Sequence, residues 1–287
     1  MIKKVLIIST LFCSFYLSAQ INMELRTNRS KYITYETVHA QITIENTSGT
    51  TLNFDNFNGG NVSLAIKTID GKTVLPKTRG VNFANGLKLP AGQTKKFQFK
   101  INEHYDLTRN TTYYAKILVK HPKLPSALIS KRMLFSVKKG DELIKIPYGA
   151  PSANGKIKML SCEILTFKED GKRQFGLLIQ SKTTAYGFTR LAVLSASVKP
   201  EVKIDARSHI HILSKTKPRV YNYWVYSPWG KVKQASVYKV TQSRNGVPKL
   251  IRDPDIGRVM VSGGILHQPG EDEHFKLPDF HNKPTIK

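Results

Sequence analysis

Two histidines separated by one residue are the first side chains whose spacing suggests chemistry. His209 and His211 would project from the same face of a β-strand, so both imidazoles could ligate one metal ion. Glu163 or Asp205 could supply a third ligand. Because a His-x-His pair is also common on ordinary strands, a metal-dependent enzyme is only an alternative hypothesis here. We assign no metal-binding residue and expect no cofactor.

An aromatic run, Val220–Tyr226, and the turn after it suggest binding rather than catalysis. In a strand, Tyr221 and Tyr223 face one way while Trp224 and Tyr226 face the other, and one face should be core. The other face could be a platform that continues into the turn. Exposed aromatic rings beside cations suit stacking on sugar rings and pairing with acidic groups. The candidate ligand-binding residues are Tyr223, Trp229, Lys231 and Lys233.

The two tryptophans should differ in burial. Trp229 lies in Ser227-Pro228-Trp229-Gly230, and this turn chemistry favours exposure. Trp224 lies in the middle of the aromatic run, so we expect it to be the more buried of the two.

Other catalytic signatures are absent from the sequence. It contains no nucleophile elbow, P-loop, HExxH motif or dinucleotide fingerprint. Its acidic residues are few and scattered, so paired-carboxylate hydrolysis has no obvious candidates. Cys162 lies within an apolar strand pattern, and we expect a buried, unreactive thiol. The sequence therefore favours a protein that is not an enzyme.

The first 19 residues have the pattern of a secretory signal peptide. Lys3 and Lys4 precede an apolar run that ends in Leu17-Ser18-Ala19, which predicts cleavage after Ala19 and export to the periplasm or beyond. Cys13 lacks small residues before it, and the sequence leaves its lipidation open. No later apolar run is long enough to span a bilayer, so we expect no transmembrane segment in the mature chain.

The chain is strongly and evenly basic. It has 45 Lys and Arg against 20 Asp and Glu, a net charge of +25, and loss of Lys3 and Lys4 with the leader would leave +23. Residues 21–140 and 141–265 each contribute about half of that excess. An even positive field attracts polyanions without sequence specificity, whereas nucleic-acid readers concentrate their charge. We expect weak association with an anionic polysaccharide or envelope surface, with another secreted protein as an alternative partner, and no binding to a specific nucleic-acid sequence.

Alternating apolar residues predict short strands throughout residues 20–139. Ala40, Ile42 and Ile44 share one face, and Asp70-Gly71 is a strong two-residue hairpin signal. Phe97, Phe99 and Ile101 should face inward on a later strand. Seven or eight strands with regular turns predict a β-sandwich.

Several turn and core segments of residues 22–137 resemble bacterial immunoglobulin-like domains of the intracellular proteinase inhibitor type. These segments are Tyr35-Glu36-Thr37-Val38, Glu45-Asn46-Thr47-Ser48-Gly49, Asp70-Gly71-Lys72, Leu89-Pro90-Ala91-Gly92 and Tyr105-Asp106-Leu107 with Tyr113. The resemblance implies a sandwich in which Tyr113 serves as a tyrosine corner. It also implies an alternative function, protease inhibition. No reactive loop is matched residue by residue, and the loop at residues 76–86 is our own candidate for it. The leader conflicts with an intracellular site of action.

Residues 140–265 predict a second β domain, a sandwich or small barrel, with a partial propeller left open. Strands are expected at residues 157–167, 175–179 and 190–196 and in a meander over 209–240, with a loop at 149–155. We find no helical pattern, and residues 266–287 should form a loose tail. The predicted fold class is all-β, two β-sandwich-like domains in tandem after a signal peptide. The predicted function is a non-catalytic secreted binding or scaffold protein of the bacterial envelope.

Overall fold

The computed structural model describes residues 21–55, 57, 59–195, 198–242 and 246–267. The predicted leader, Cys13 and nearly all of the predicted tail lie outside these residues. Strands account for most of the chain and helix for about 2% of it, which confirms the all-β fold class. The boundary near residue 139 and the tandem-domain organisation remain predictions. We refer to residues 21–138 as the N-terminal half and to residues 141–267 as the C-terminal half.

The N-terminal half consists of eleven strands and one helical turn. A three-stranded sheet has the order β1-β3-β8, a second sheet has the order β2-β11-β9-β5-β6 with β10 beside β9, and β4 pairs with β7. The elements are β1 Ile21–Thr27, β2 Lys31–Ile33, β3 His39–Asn46, β4 Leu52–Phe54, β5 Asn61–Thr68, β6 Thr73–Val74, β7 Leu87–Leu89, β8 Thr94–Lys100, α1 Ile101–His104, β9 Thr111–Lys120, β10 Leu128–Ile129 and β11 Met133–Lys138.

Alternation in the sequence builds the core of the N-terminal half. Every second residue of β3 and β5 is buried, including Ala40, Ile42 and Ile44 as predicted. Residues from both larger sheets belong to one apolar cluster, so the sheets enclose a common core. The Tyr113 hydroxyl donates to Arg109 O at 3.1 Å, which is the bond expected of a tyrosine corner.

A helical turn replaces the predicted end of β8. Ile101 was expected to continue the strand, but α1 begins there and Ile101 is buried at its start. The backbone turns because Ile101 N donates to Val38 O at 2.9 Å, while Asn102 Oδ1 accepts from Val38 N at 2.6 Å. The expectation that no helix forms is therefore wrong by one turn. Among the residues placed by the structure, no helix is long and apolar enough to cross a membrane.

The C-terminal half contains eleven further strands. Two larger sheets have the orders β12-β13-β14-β15 and β16-β17-β18-β19-β22, and β20 pairs with β21. The strands are β12 Asp141–Pro151, β13 Ile157–Glu169, β14 Lys172–Gln180, β15 Ala185–Val193, β16 Glu201–Ile204, β17 Ile210–Lys217, β18 Val220–Tyr226, β19 Val232–Lys239, β20 Lys249–Arg252, β21 Val259–Ser262 and β22 Ile265–Leu266. Residues 149–151 were expected in a loop but pair with β13 as the end of β12.

Both larger sheets of the C-terminal half contribute to one apolar cluster. Cys162 and Phe175 come from the first sheet, and Ile212 and Trp224 come from the second. The Phe175 and Trp224 rings meet edge-on with centroids 6.1 Å apart. Cys162 is fully buried as expected, and burial raises the pKa of its thiol to about 12. This core is packed without a disulfide within the part of the chain that the structure covers.

A largely buried arginine joins the two halves. Arg190 on β15 contacts Glu36 through Nε–Oε1 and Nη2–Oε2 distances of 2.6 and 3.0 Å. Its Nη1 donates to Glu169 Oε2 at 2.6 Å, and its guanidinium carbon lies 4.7 Å from the centroid of the Phe167 ring. Beside this network, Ile33 of the N-terminal half packs in an apolar cluster otherwise drawn from the C-terminal half.

We predict that Arg190→Met destabilises the chain by about 3–5 kcal/mol, because two largely buried carboxylates lose their cation. The double variant Arg190→Met with Glu36→Gln should recover part of that loss. Arg190→Lys, which keeps the charge but not the bidentate geometry, should lie between. Urea unfolding of the full chain measures all three, and wild-type stability in Arg190→Met would show that this network does not hold the halves.

Candidate functional site

The predicted aromatic platform is buried on both faces. Trp224 and Tyr226 enter the core between the two larger sheets, and Tyr223 on the opposite face is only 5% exposed. Tyr223 lies in a separate cluster with Leu250 of β20 and Val259 of β21, so this hairpin covers its face of β18. The expectation that Tyr223 lies on an exposed platform is therefore wrong, and its role in ligand binding stays a prediction. The periodicity of β18 identified both faces correctly but could not show that another hairpin packs on the second one.

The histidine pair belongs to a hydrogen-bonded cluster. Asp205 Oδ2 lies 3.1 Å from His209 Nδ1 and 3.2 Å from His211 Nε2, while His211 Nδ1 lies 2.7 Å from the Tyr223 hydroxyl. Of the two suggested third ligands, Asp205 joins the histidines, whereas Glu163 pairs with Lys145.

The electrostatics of this cluster suit a structural role. Burial lowers the pKa of His211 despite the nearby Asp205 carboxylate. For Asp205, burial acts to raise the pKa, but hydrogen bonds from the His209 amide and from both imidazoles outweigh it and the pKa is lowered. Over the described ranges, no group of three or more His, Cys, Asp or Glu side chains is placed to hold a metal ion. Through these hydrogen bonds, Asp205 holds the segment that leads into β17.

Trp229 is half-buried rather than freely exposed. Its Nε1 donates to Pro151 O at 3.1 Å, and its ring meets the Tyr186 ring edge-on with centroids 5.0 Å apart. A residue of β12 also holds this turn, because the Tyr148 hydroxyl donates to Pro228 O at 2.6 Å. The turn chemistry favoured an exposed Trp229, but the structure shows it half-buried, whereas Trp224, with no exposed surface, is the more buried as predicted.

Two residues that the sequence did not single out complete a surface around Trp229. The Lys158 Nζ lies 5.3 Å from the centroid of the Tyr186 ring, and Tyr186 is 36% exposed. Lys231 and Lys233 are exposed just beyond the turn, as expected. We call Lys158, Tyr186, Trp229 and Lys231 the aromatic–lysine patch. It combines three segments distant in sequence, so only the residues near Trp229 could be found from local pattern.

Comparison with known proteins adds little to this geometry. No protein-family model matches the chain, and no curated protein matches it. Among solved structures, the sporulation control protein Spo0M from Bacillus subtilis matches with a TM-score of 0.28 and 7% identity, over 61% of this chain and 90% of that chain. A similarity of this size supports no argument about this chain. The class that its own strands define is an all-β protein.

The two tryptophans should respond differently to truncation. Trp224→Ala should cost about 3–5 kcal/mol because it leaves a large cavity in a closed core. Trp229→Ala should cost about 1–2 kcal/mol, since it removes one hydrogen bond and a half-buried ring. Urea unfolding followed by fluorescence of the remaining tryptophan measures both. Equal losses would place Trp229 in the core.

Proposed function

We propose that this chain is a non-catalytic, exported binding protein that holds an anionic polysaccharide weakly through the aromatic–lysine patch. The observation that carries the proposal is the Lys158 ammonium lying over the Tyr186 ring, beside Trp229. Aromatic surfaces stack on sugar rings, and ammonium groups pair with the carboxylates or sulfates of an acidic glycan. Export is part of the proposal and is supported by the leader pattern of residues 1–19.

The overall charge supports the same class of ligand. With a net charge of +25, the chain attracts polyanions from any direction, and salt screens that attraction over about 8 Å at physiological ionic strength. A general field does not select a ligand. The patch adds a place where the polymer meets aromatic surface and charge together, and its few exposed contacts favour weak binding.

If the patch binds the polysaccharide, single substitutions of one of its lysines and of its tyrosine should each weaken that binding. Lys158→Ala and Tyr186→Ala should each weaken binding to a sulfated or uronate polysaccharide by about 3- to 10-fold, because each removes a direct contact. Affinity chromatography of the full chain at low and moderate salt measures the change.

Lys88→Ala is the matched control, because it removes the same charge from an exposed position on β7 in the N-terminal half. It should leave retention nearly unchanged. Equal weakening by Lys88→Ala and Lys158→Ala would mean that only the general field attracts the polymer, and the patch would lose its assigned role.

A second candidate function is protease inhibition, which we infer from the resemblance to immunoglobulin-like domains of the proteinase inhibitor type. The observation that favours it is an exposed tip, Thr78-Arg79-Gly80, anchored on both sides. Before the tip, Lys77 N donates to His104 O at 2.7 Å, and after it Asn82 Oδ1 accepts from Val62 N at 3.0 Å. A loop fixed in advance loses little entropy on binding.

This candidate predicts slowed cleavage by proteases that prefer Arg. The full chain should inhibit a trypsin-like protease in a steady-state peptide assay, and Arg79→Ala should abolish that inhibition because it removes the exposed basic side chain at the tip. Undiminished protease activity at high concentrations of the chain would reject the candidate. Polysaccharide binding should be indifferent to Arg79→Ala, which separates the two functions.

A further inference from the structure

A cleft of about 810 Å³ opens where the two halves meet. Its walls come from the Thr34–Tyr35 turn and from Thr108 and Asn110 of the N-terminal half, from the connection at residues 139–140, and from β12, β13 and β14. This volume lies in the range of small-molecule sites, but the lining is more polar and charged than the mostly apolar lining usual for such sites. The apolar part here includes Leu165 and Leu178.

The central polar group of the cleft is the Glu163 carboxylate, whose side chain is only 5% exposed. Three donors converge on one of its oxygens: Lys145 Nζ at 2.6 Å, Gln180 Nε2 at 2.8 Å and Ser161 Oγ at 3.0 Å from Oε1. No hydrogen bond reaches Oε2 from the residues described. A buried carboxylate with one oxygen still unengaged is suited to accept a further donor.

Glu163 is charged despite its burial. Burial acts to raise its pKa, but the hydrogen bonds from Lys145, Gln180 and Ser161 outweigh that effect and lower it. Lys145, which forms an ion pair with Glu163, is half-exposed on β12 with 50% of its side chain accessible, and Lys145 Nζ also lies 3.8 Å from Glu142 Oε2. The ammonium of Lys145 can therefore move toward Glu142 without leaving the cleft.

The local charge of the cleft differs in sign from that of the whole chain. Three carboxylates line it, those of Asp141, Glu142 and Glu163, against the two ammonium groups of Lys139 and Lys145. Basic residues outnumber acidic ones more than two to one in the whole sequence, so the excess of carboxylates in the cleft is the reverse of the overall balance. At contact distance such groups outweigh a distant field, because salt screens the field.

An aromatic residue in an unusual backbone conformation borders the same cleft. Tyr35 has φ 71, which is disfavoured for a bulky side chain, and 38% of its surface is exposed. Neighbouring bonds hold it there, since Tyr35 O accepts from Phe188 N at 3.3 Å and Glu36 N donates to Ile33 O at 2.8 Å. Conformations of this kind persist only where the surroundings impose them, and they cluster at functional sites.

We propose that the cleft binds an organic cation, a primary amine or guanidinium on a short aliphatic stem. The head group donates to Glu163 Oε2 and gains cation–π attraction from the Tyr35 ring, while the stem covers Leu165 and Leu178. An anionic ligand would meet a net excess of carboxylates. This proposal is independent of polysaccharide binding, which uses other residues.

Isothermal titration of the full chain with n-pentylamine and n-butylguanidinium tests the proposal, with 1-pentanol as the uncharged probe of equal stem length. Both cations should bind saturably with a stoichiometry of one, and pentanol should bind at least tenfold more weakly. Glu163→Gln should weaken binding of the cations at least tenfold. Glu103→Gln, which removes a carboxylate from an exposed ion pair with Lys100, should leave their affinity unchanged.

Two further variants keep the test decisive if Glu163→Gln fails to fold, as near-ultraviolet circular dichroism would reveal. Tyr35→Asn retains a residue that tolerates the left-handed conformation and should weaken binding of the cations several-fold. Lys145→Ala removes the internal ammonium and should tighten binding several-fold, because the ligand no longer shares Glu163 with it. The proposal is overturned if wild type binds neither cation, if pentanol binds as well as pentylamine, or if Tyr35→Asn and Lys145→Ala both bind like wild type.

Discussion

The contact between Arg190 and its three acceptors is the interaction on which the arrangement of the two halves depends. Burying a guanidinium is costly unless its N–H donors are paired. Here the guanidinium of Arg190 donates hydrogen bonds to the Glu36 and Glu169 carboxylates and to the Lys31 carbonyl. Lys31 and Glu36 belong to the N-terminal half, and Glu169 and Arg190 belong to the C-terminal half. Because Glu36 also accepts from Ile33 N at 2.8 Å, the same network fixes the turn that carries Tyr35 to the cleft.

Local sequence patterns predicted the elements of this structure better than the contacts between them. Alternation in β3 and β5 reports burial directly, since period-two residues share a face, and those strands agree with expectation. The helical turn at Ile101 was missed because it depends on bonds to Val38 and Asn102 rather than on helical periodicity. Tyr223 was misassigned because its cover comes from a hairpin that begins at Lys249.

The candidate sites show the same division. Trp229 could be found from its turn, but Lys158 and Tyr186 approach it only after β13 and β15 fold beside that turn. Glu163 was considered only as a possible third metal ligand beside His209 and His211. The sequence could not show that the partner of Glu163 is Lys145, nor that one oxygen remains unengaged within the described structure. The sequence showed the chemical type of each residue, but only the fold showed which residues lie beside it.

The two proposed ligand classes have opposite charge, and the distance dependence of electrostatics explains how one chain can serve both. A polyanion is attracted by the summed field of many exposed lysines and needs only a shallow surface on which to rest. A small cation is repelled weakly by that screened field, yet it gains from a direct charge-assisted bond to a carboxylate whose side chain is largely buried. In these proposals the net positive charge of the chain attracts polyanions to its surface, whereas the carboxylate in the cleft binds a small cation by direct contact. Because Tyr35 lines the cleft and its neighbour Glu36 is held by Arg190, the cation binding proposed for the cleft depends on the Arg190 network that joins the halves.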